Sequence, residues 1–108
     1  MTGLTRKEEL ILLTIRVLKR DAYLVAIGDH LAKMLRVRVT LPSVHIPLRR
    51  LEKAGFIESE LGEGTTVRGG RRKKIYRITP SGFAALVEHK RLSEAFWAAS
   101  PVPDGQKS

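Results

Sequence analysis

The stretch from Leu41 to Thr79 limits what this chain can fold into more than any other part of it. Leu48 and Leu51 are three residues apart and Val44 lies one turn earlier, so these side chains share one face of a predicted helix. Gly55 follows the last apolar residue of that face, where a glycine can end a helix in a left-handed cap. Two short runs that are typical of strands come next, separated by a glycine-rich turn. The sequence therefore predicts a helix, a glycine stop and a two-stranded hairpin.

Positive charge is concentrated in the second half of this stretch. The chain carries 20 Lys and Arg residues against 11 Asp and Glu residues, a net charge of +9. Residues 65–79 contain six of the basic groups and no acidic group. A cationic hairpin beside a cationic helix face indicates a polyanionic partner, and we expect double-stranded DNA. A basic surface that is merely solvated is the alternative.

Two helices are predicted before this stretch. Thr5 and Glu8 have the spacing of a capping box. The apolar run that follows, Leu10 to Leu18, indicates a central and buried helix. A second helix is predicted from about Val25 to Leu35. Its inner side is predicted to consist of Ile27, Leu31, Met34 and Leu35.

The entry into the helix near Leu41 leaves alternatives open. Residues 36–40 alternate and are rich in β-branched side chains, so they can form a short third strand or the turn between two helices. Thr40 or Ser43 can cap the helix that follows. Pro47 has no amide hydrogen and crowds the preceding turn, so we expect this helix either to start late, near Pro47, or to kink there.

The last predicted helix runs from about Pro80 to Ala98, with Thr79 as its N-cap, and carries two apolar stripes. The first stripe is predicted to pack on the rest of the domain and consists of Phe83, Leu86 and Val87. The second lies on the opposite side, in the half that extends beyond the domain, and consists of Leu92, Ala95, Phe96 and Ala99. A second copy of the chain is the economical partner for it, so we expect a homodimer. The alternative is a helix that folds back on its own domain.

These elements predict a mainly α-helical fold with a small β-hairpin, in the α+β class: a winged helix-turn-helix followed by a C-terminal helix. We expect residues 1–79 to form a DNA-binding domain, residues 80–99 a dimerisation helix continuous with it, and residues 100–108 a disordered tail. No segment approaches the ~18 apolar residues of a membrane helix, so no membrane partner is expected. The absence of cysteine fits a cytoplasmic protein.

Two motifs resemble those of PadR-type transcriptional regulators. Residues 43–57, with the run Leu48-Arg49-Arg50-Leu51-Glu52, look like their recognition helix, and residues 68–82 look like their wing and the start of their last helix. The resemblance covers roughly residues 5 to 98 and implies a transcriptional regulator, which we expect to be a repressor. It further implies that the last helix forms the dimer, with Trp97 at or beside the interface. Some such regulators bind flat apolar molecules between their subunits, which implies a possible small-molecule effector.

The predicted DNA-binding residues lie on the Leu41 helix and in the wing. We expect the helix to enter the major groove by its N-terminal end, with two copies reading a near-palindromic site. We expect Ser43, Val44 and His45 to approach the edges of the bases. The other DNA-binding residues predicted on this helix lie further along it: Arg49, Arg50 and Lys53. Phosphate or minor-groove contacts are assigned to Arg68, Arg71, Arg72, Lys73 and Lys74. The predicted dimer interface consists of Leu92, Ala95, Phe96, Trp97 and Ala99.

No pattern in the sequence points to catalysis. His30, His45 and His89 lie on separate predicted helices without metal-ligand spacing, and no nucleophile motif with a base is present. We therefore expect no enzyme activity, no cofactor and no metal site. The competing hypothesis is a winged-helix adaptor whose basic face binds acidic protein or structured RNA.

Overall fold

The computed structural model describes residues 3–62 and 73–101 of the chain. In chain order its elements are α1 (Arg6–Leu18), a 3₁₀ turn (Lys19–Asp21), α2 (Leu24–Leu35), α3 (Leu41–Lys53), β1 (Ile57–Leu61), β2 (Lys74–Ile78) and α4 (Pro80–Ala99). The two strands pair antiparallel, with Ile57 opposite Ile78 and Leu61 opposite Lys74. The fold is the predicted one, a helical winged helix-turn-helix with a two-stranded hairpin and a C-terminal helix. The predicted tail falls largely on residues 102–108, which lie outside the described residues.

The helix ends follow their local sequence signals. The backbone N–H of Glu8 donates to the Thr5 hydroxyl over 3.1 Å, and the Thr5 N–H donates to the Glu8 carboxylate over 2.8 Å. This is the predicted capping box. Thr79 caps α4 by accepting from the Gly82 N–H over 3.1 Å. Gly55 has a φ of +82° just after α3, as the predicted left-handed stop requires.

The core lies where α1, α2 and α3 meet the hairpin and the first half of α4. Its side chains are almost completely removed from solvent, and they include Ile11, Leu12, Ile15, Ile27, Leu31, Val44, Leu48, Leu51, Ile57, Tyr76 and Leu86. The prediction that α1 is buried is correct for one side of the helix only. Leu13 and Val17, on its other side, are exposed. The inner side predicted for α2 is correct at Ile27 and Leu31.

Two other parts of that prediction for α2 are wrong. Met34 is 69% exposed and Leu35 is 44% exposed. Arg36 takes a left-handed conformation, with a φ of 57°, and ends the helix immediately after them. The last turn of α2 therefore lies at the margin of the core.

Residues 36–40 form the turn between α2 and α3 rather than a third strand. The position beside the hairpin is taken instead by the chain just before α2. Tyr23 forms an isolated antiparallel bridge with Ile75, and the Tyr76 N–H donates to the Ala22 carbonyl over 2.8 Å. This contact joins residues far apart in the sequence, so the local β-branched pattern of residues 36–40 carried no information about it.

Helix α3 begins early, at Leu41, so of the two alternatives predicted for Pro47, a late start or a kink, the late start is wrong. Thr40 is the N-cap residue but its side chain makes no capping bond; the Ser43 hydroxyl instead donates to the Thr40 carbonyl over 2.6 Å. Pro42 occupies the first turn, where its missing N–H costs little. Pro47 stands inside the helix and is buried, so its ring contributes to the core at the loss of one backbone hydrogen bond.

The first half of α4 packs on the domain through a face that is rotated from the predicted one and shares Leu86 with it. Gly82, Ala85 and Leu86 are buried, whereas Phe83 is 44% and Val87 52% exposed. The small side chains explain this difference, because Gly82 and Ala85 let the α4 backbone approach the rest of the domain closely, as at the Phe56 carbonyl. The Phe83 ring instead lies under the Arg16 guanidinium, with 4.8 Å between the Arg16 Cζ atom and the ring centroid.

Candidate nucleic-acid interface

The outward face of α3 is a cationic stripe. His45, Ile46, Arg49 and Lys53 are all exposed and, at 100° per residue, fall within about 100° of one another around the helix. The opposite face carries Val44, Leu48 and Leu51, whose burial in the core fixes the rotation of the helix. The packing of this apolar face against the core therefore decides which side chains of α3 point outward.

Val44 does not belong to the candidate interface. Its side chain is 0% exposed and lies in the core, so the assignment of Val44 to DNA base edges is wrong. The reason is helical geometry, since Val44 lies one turn before Leu48 and shares its inward face. Ser43 is half-buried at the edge between the two faces, and its hydroxyl already bonds to the Thr40 carbonyl. His45 is exposed on the outward stripe.

The base of the wing adjoins this stripe. The exposed residues His45, Ile46, Arg49, Arg50 and Lys53 of α3, together with Glu52 and Lys74, line one open groove. Lys74 is the first residue of β2, and its Nζ atom lies 3.5 Å from Glu52 Oε1. The Nζ atom of Lys73 lies over the Tyr23 ring, 4.1 Å from its centroid. The structure thus brings the two predicted wing lysines and the predicted α3 cations to one side of the molecule.

Glu52 is the acidic residue among the groove residues, and both of its carboxylate oxygens are bonded to other groups of the protein. Its Oε2 atom accepts a 2.6 Å hydrogen bond from the Ser59 hydroxyl of β1, and its Oε1 atom faces Lys74. The bond from Ser59, with a contribution from Lys74, holds the pKa of the Glu52 carboxyl below its ordinary value. With its pKa lowered, Glu52 stays ionised and links α3 to both wing strands. Burial raises the pKa of the neighbouring Tyr76 hydroxyl.

The remaining α3 cations differ in how far they are engaged. Arg50 Nε lies 3.9 Å from the Glu8 carboxylate, but the Arg50 side chain is 61% exposed and free to turn outward. Within residues 3–62 and 73–101, Arg49 and Lys53 form no ion pair. Arg77 pairs with Glu58 and Glu60 on the exposed surface of the wing strands, so its charge is compensated there. Arg49 and Lys53 thus offer the least compensated charge on the stripe.

Three of the predicted wing residues, Arg68, Arg71 and Arg72, lie outside the described residues. Their assignment to phosphate or minor-groove contacts stays a prediction. Two residues of the groove region were missed by the sequence reasoning. Ile46 follows from a helical wheel, because it lies opposite the buried face of α3. Tyr23 has no local signal, since only the tertiary fold brings it beside Lys73.

A second candidate surface is the C-terminal half of α4. All five residues predicted for the dimer interface, Leu92, Ala95, Phe96, Trp97 and Ala99, are exposed in the single chain. Phe96 is 71% and Trp97 78% exposed. Leu92, Ala95, Phe96 and Ala99 share one helical face, whereas Trp97 is rotated about 100° from Phe96. The large aromatic groups therefore face two adjacent directions and can take part in separate contacts.

Other site types find little support. Among residues 3–62 and 73–101 no group of three or more His, Asp or Glu side chains is placed to hold a metal ion. His89 faces Glu9 of α1 at 3.4 Å. In the described part, no helix has the length and apolar content needed to cross a membrane.

Comparisons with known proteins point to transcriptional regulators. No protein-family model matches the chain. Over 57 residues it is 40% identical to the transcriptional regulator Rv3488 of Mycobacterium tuberculosis, a match that covers 53% of this chain and 50% of the relative. The chain thus spans about half the length of that curated relative.

Solved structures match most of the chain. A PadR family transcriptional regulator from Eggerthella lenta is 28% identical, with a TM-score of 0.67 over 86% of this chain and 79% of that one. A PadR-like transcription factor from Bacteroides fragilis is 26% identical, with a TM-score of 0.62 over 88% and 93%. These relatives are transcriptional regulators, a non-enzymatic class, which agrees with the prediction that this chain is not an enzyme.

Proposed function

Because this chain is PadR-like in its fold and motifs, we propose that it is a cytoplasmic transcriptional regulator that binds double-stranded DNA sequence-specifically and acts as a repressor. The observation that supports this most directly is the outward stripe of α3. Its exposed cations, Arg49 and Lys53, lie opposite the buried face and beside the wing lysines. A helix of this width fits the major groove, where phosphates on both rims attract cations.

In this proposal α3 enters the major groove by its N-terminal half. His45, with Ser43 at the edge of the stripe, approaches base edges. Arg49, Arg50 and Lys53 lie further along and contact phosphates or bases. Lys73 and Lys74 hold the DNA backbone from the wing, and we assign the same role to Arg68, Arg71 and Arg72. Residues 1–79 then act as the DNA-binding domain.

We further propose that the protein is a homodimer formed by the α4 helices, residues 80–99. Exposure of Leu92, Phe96 and Trp97 on one helix supports this, since a monomer would leave these large apolar groups in water. Ala95 and Ala99 allow close approach on the same face. A two-fold axis between the copies gives two α3 helices, which read a near-palindromic site.

A flat apolar small molecule is the proposed effector. Trp97 and Phe96 offer aromatic faces on which a planar ring can stack. A ligand at this position changes DNA affinity only if it binds one arrangement of the two α3 helices better than another.

A binding experiment separates this function from the adaptor or RNA-binding alternative. Mobility shifts of the purified chain with random duplex DNA and with structured RNA, each over a series of salt concentrations, are expected to favour the duplex. Selection from a random duplex library is expected to return a near-palindrome. Preferential binding of structured RNA, or of neither nucleic acid, would overturn the proposal.

A further inference from the structure

Ile46 is an apolar side chain at one edge of the cationic stripe of α3, between the directions of Lys53 and Arg50. It is 59% exposed, and its groove neighbours include His45, Arg49, Arg50 and Lys53. It lies outside the core, so the packing of the domain does not explain an isoleucine here. Nor does helix stability explain it, because isoleucine is a weaker helix former than alanine at an exposed position. The side chain is available to a partner of α3.

The geometry of the stripe gives Ile46 a fixed position relative to the reading residues. It precedes Arg49 by three residues and Arg50 by four, so the three side chains are neighbours on the helix surface. Branching at Cβ leaves isoleucine essentially one χ1 rotamer in a helix, so little rotamer freedom is lost when it meets a partner. An apolar group held rigidly between cations suits a target that has one apolar point among polar and anionic groups.

The major groove of DNA has such a point. Guanine, adenine and cytosine present hydrogen-bonding groups along this groove, and thymine alone adds a 5-methyl group. We propose that Ile46 is a specificity-determining residue that contacts the 5-methyl group of a thymine in the bound site. The inference rests on the proposed function, since it requires α3 in the major groove. Against any other base edge, Ile46 would cover polar groups without pairing them, and binding would weaken.

The test removes the methyl group without changing the base pairing. Each thymine of a duplex site selected by the wild-type protein is replaced in turn by deoxyuridine, and the dissociation constant is measured. At one thymine position we expect the wild type to bind the deoxyuridine duplex about fourfold more weakly, as the burial of one methyl group predicts. Ile46→Ala is expected to bind the thymine and deoxyuridine sites equally well. Val17→Ala, which changes another exposed β-branched helix residue, is expected to keep the wild-type ratio.

The outcomes of this test separate a failure of the role of Ile46 from a failure of the proposed DNA-binding function. Sequence-specific duplex binding with no effect of deoxyuridine at any position would overturn the role of Ile46 and leave the proposed function standing. Discrimination that persists in Ile46→Ala would also overturn it, because another residue would then read the methyl group. Failure to bind duplex DNA at all would remove the proposed function, and the inference with it. Circular dichroism of Ile46→Ala, expected to match the wild type, checks that the variant is folded.

Discussion

The hydroxyl of Ser59 donates a 2.6 Å hydrogen bond to the Oε2 atom of Glu52, and this bond joins the wing to α3. The other carboxylate oxygen of Glu52 faces Lys74 at 3.5 Å, on the second wing strand. One side chain thus links three elements of the candidate interface. Glu52 therefore lies between the stripe of α3 and the wing, the two surfaces that we propose to contact DNA, and is bonded to both.

We predict that Ser59→Ala destabilises the fold by about 1 kcal/mol at pH 7, and that this loss shrinks in acid. The bond from Ser59 lowers the pKa of Glu52, so its stabilisation is fully present above the ordinary glutamate pKa. It is lost as the pH falls through the lowered pKa of the folded protein. Urea unfolding at pH 7 and near pH 3 measures the difference. Ser81→Ala, which breaks a hydrogen bond to the Gly55 carbonyl, provides a control whose effect should not depend on pH.

Two buried helix glycines are predicted to respond oppositely to alanine. A Cβ atom at Gly82 would stand 2.0 Å from the Phe56 carbonyl oxygen, which already accepts from the Thr79 N–H. At Gly28 the nearest atoms, on Leu41 and Val44, are 3.8 Å away. Gly82→Ala should therefore cost about 1–3 kcal/mol of unfolding free energy. Gly28→Ala should be neutral or should stabilise by up to about 1 kcal/mol. Equal effects in chemical denaturation would contradict the packing of α4 described above.

The wing lysines are predicted to act through phosphate. Replacing Lys73 and Lys74 together by alanine should weaken binding to all duplex sequences similarly. It should also reduce the slope of log affinity against log salt by about 0.9 for each phosphate that the variant no longer neutralises. The exposed Lys90 of α4 is the matched control, and Lys90→Ala should leave the slope unchanged. A wild-type slope in the double variant would show that the two lysines do not contact the backbone.

Dimerisation is predicted to depend on the aromatic residues of α4. Phe96→Ala and Trp97→Ala should each lower the dimer association constant about tenfold or more, since both side chains are highly exposed in the single chain. Sedimentation over a range of protein concentrations measures this. Val25→Ala, at an exposed position of α2, should sediment as the wild type does. A monomeric wild type would contradict both the dimer and the near-palindromic site.

The single tryptophan provides a probe for an effector. Titration with flat aromatic compounds should change the intrinsic fluorescence of Trp97, because a stacked ring alters the environment of the indole. Phe96→Ala should weaken the response. A stable dimer whose fluorescence responds to none of the compounds would argue against an effector site at Trp97 and leave the dimer unaffected.

Local signals in the sequence predicted the elements of the fold well. The Thr5–Glu8 capping box, the Thr79 cap and the left-handed Gly55 are short-range effects, in which a side chain or a glycine satisfies the backbone a few residues away. The order of the helices and the hairpin, and with it the fold class, followed from these signals and from apolar periodicity. The cationic character of α3 and of the wing base was likewise readable from residue order alone.

The orientation of individual side chains was decided by tertiary packing. Val44 is inside because its helix face meets the core, and Met34 is outside because α2 ends at the core margin. Of the two alternatives for residues 36–40, a short strand or a turn, the turn formed, and the bridge between Tyr23 and Ile75 lies beside the hairpin instead. Periodicity shows which residues share a face, but burial depends on what the fold places against that face. The sequence by itself therefore determined the helices, the hairpin and the charge, and the tertiary structure decided which charged and apolar groups remain free to meet a partner.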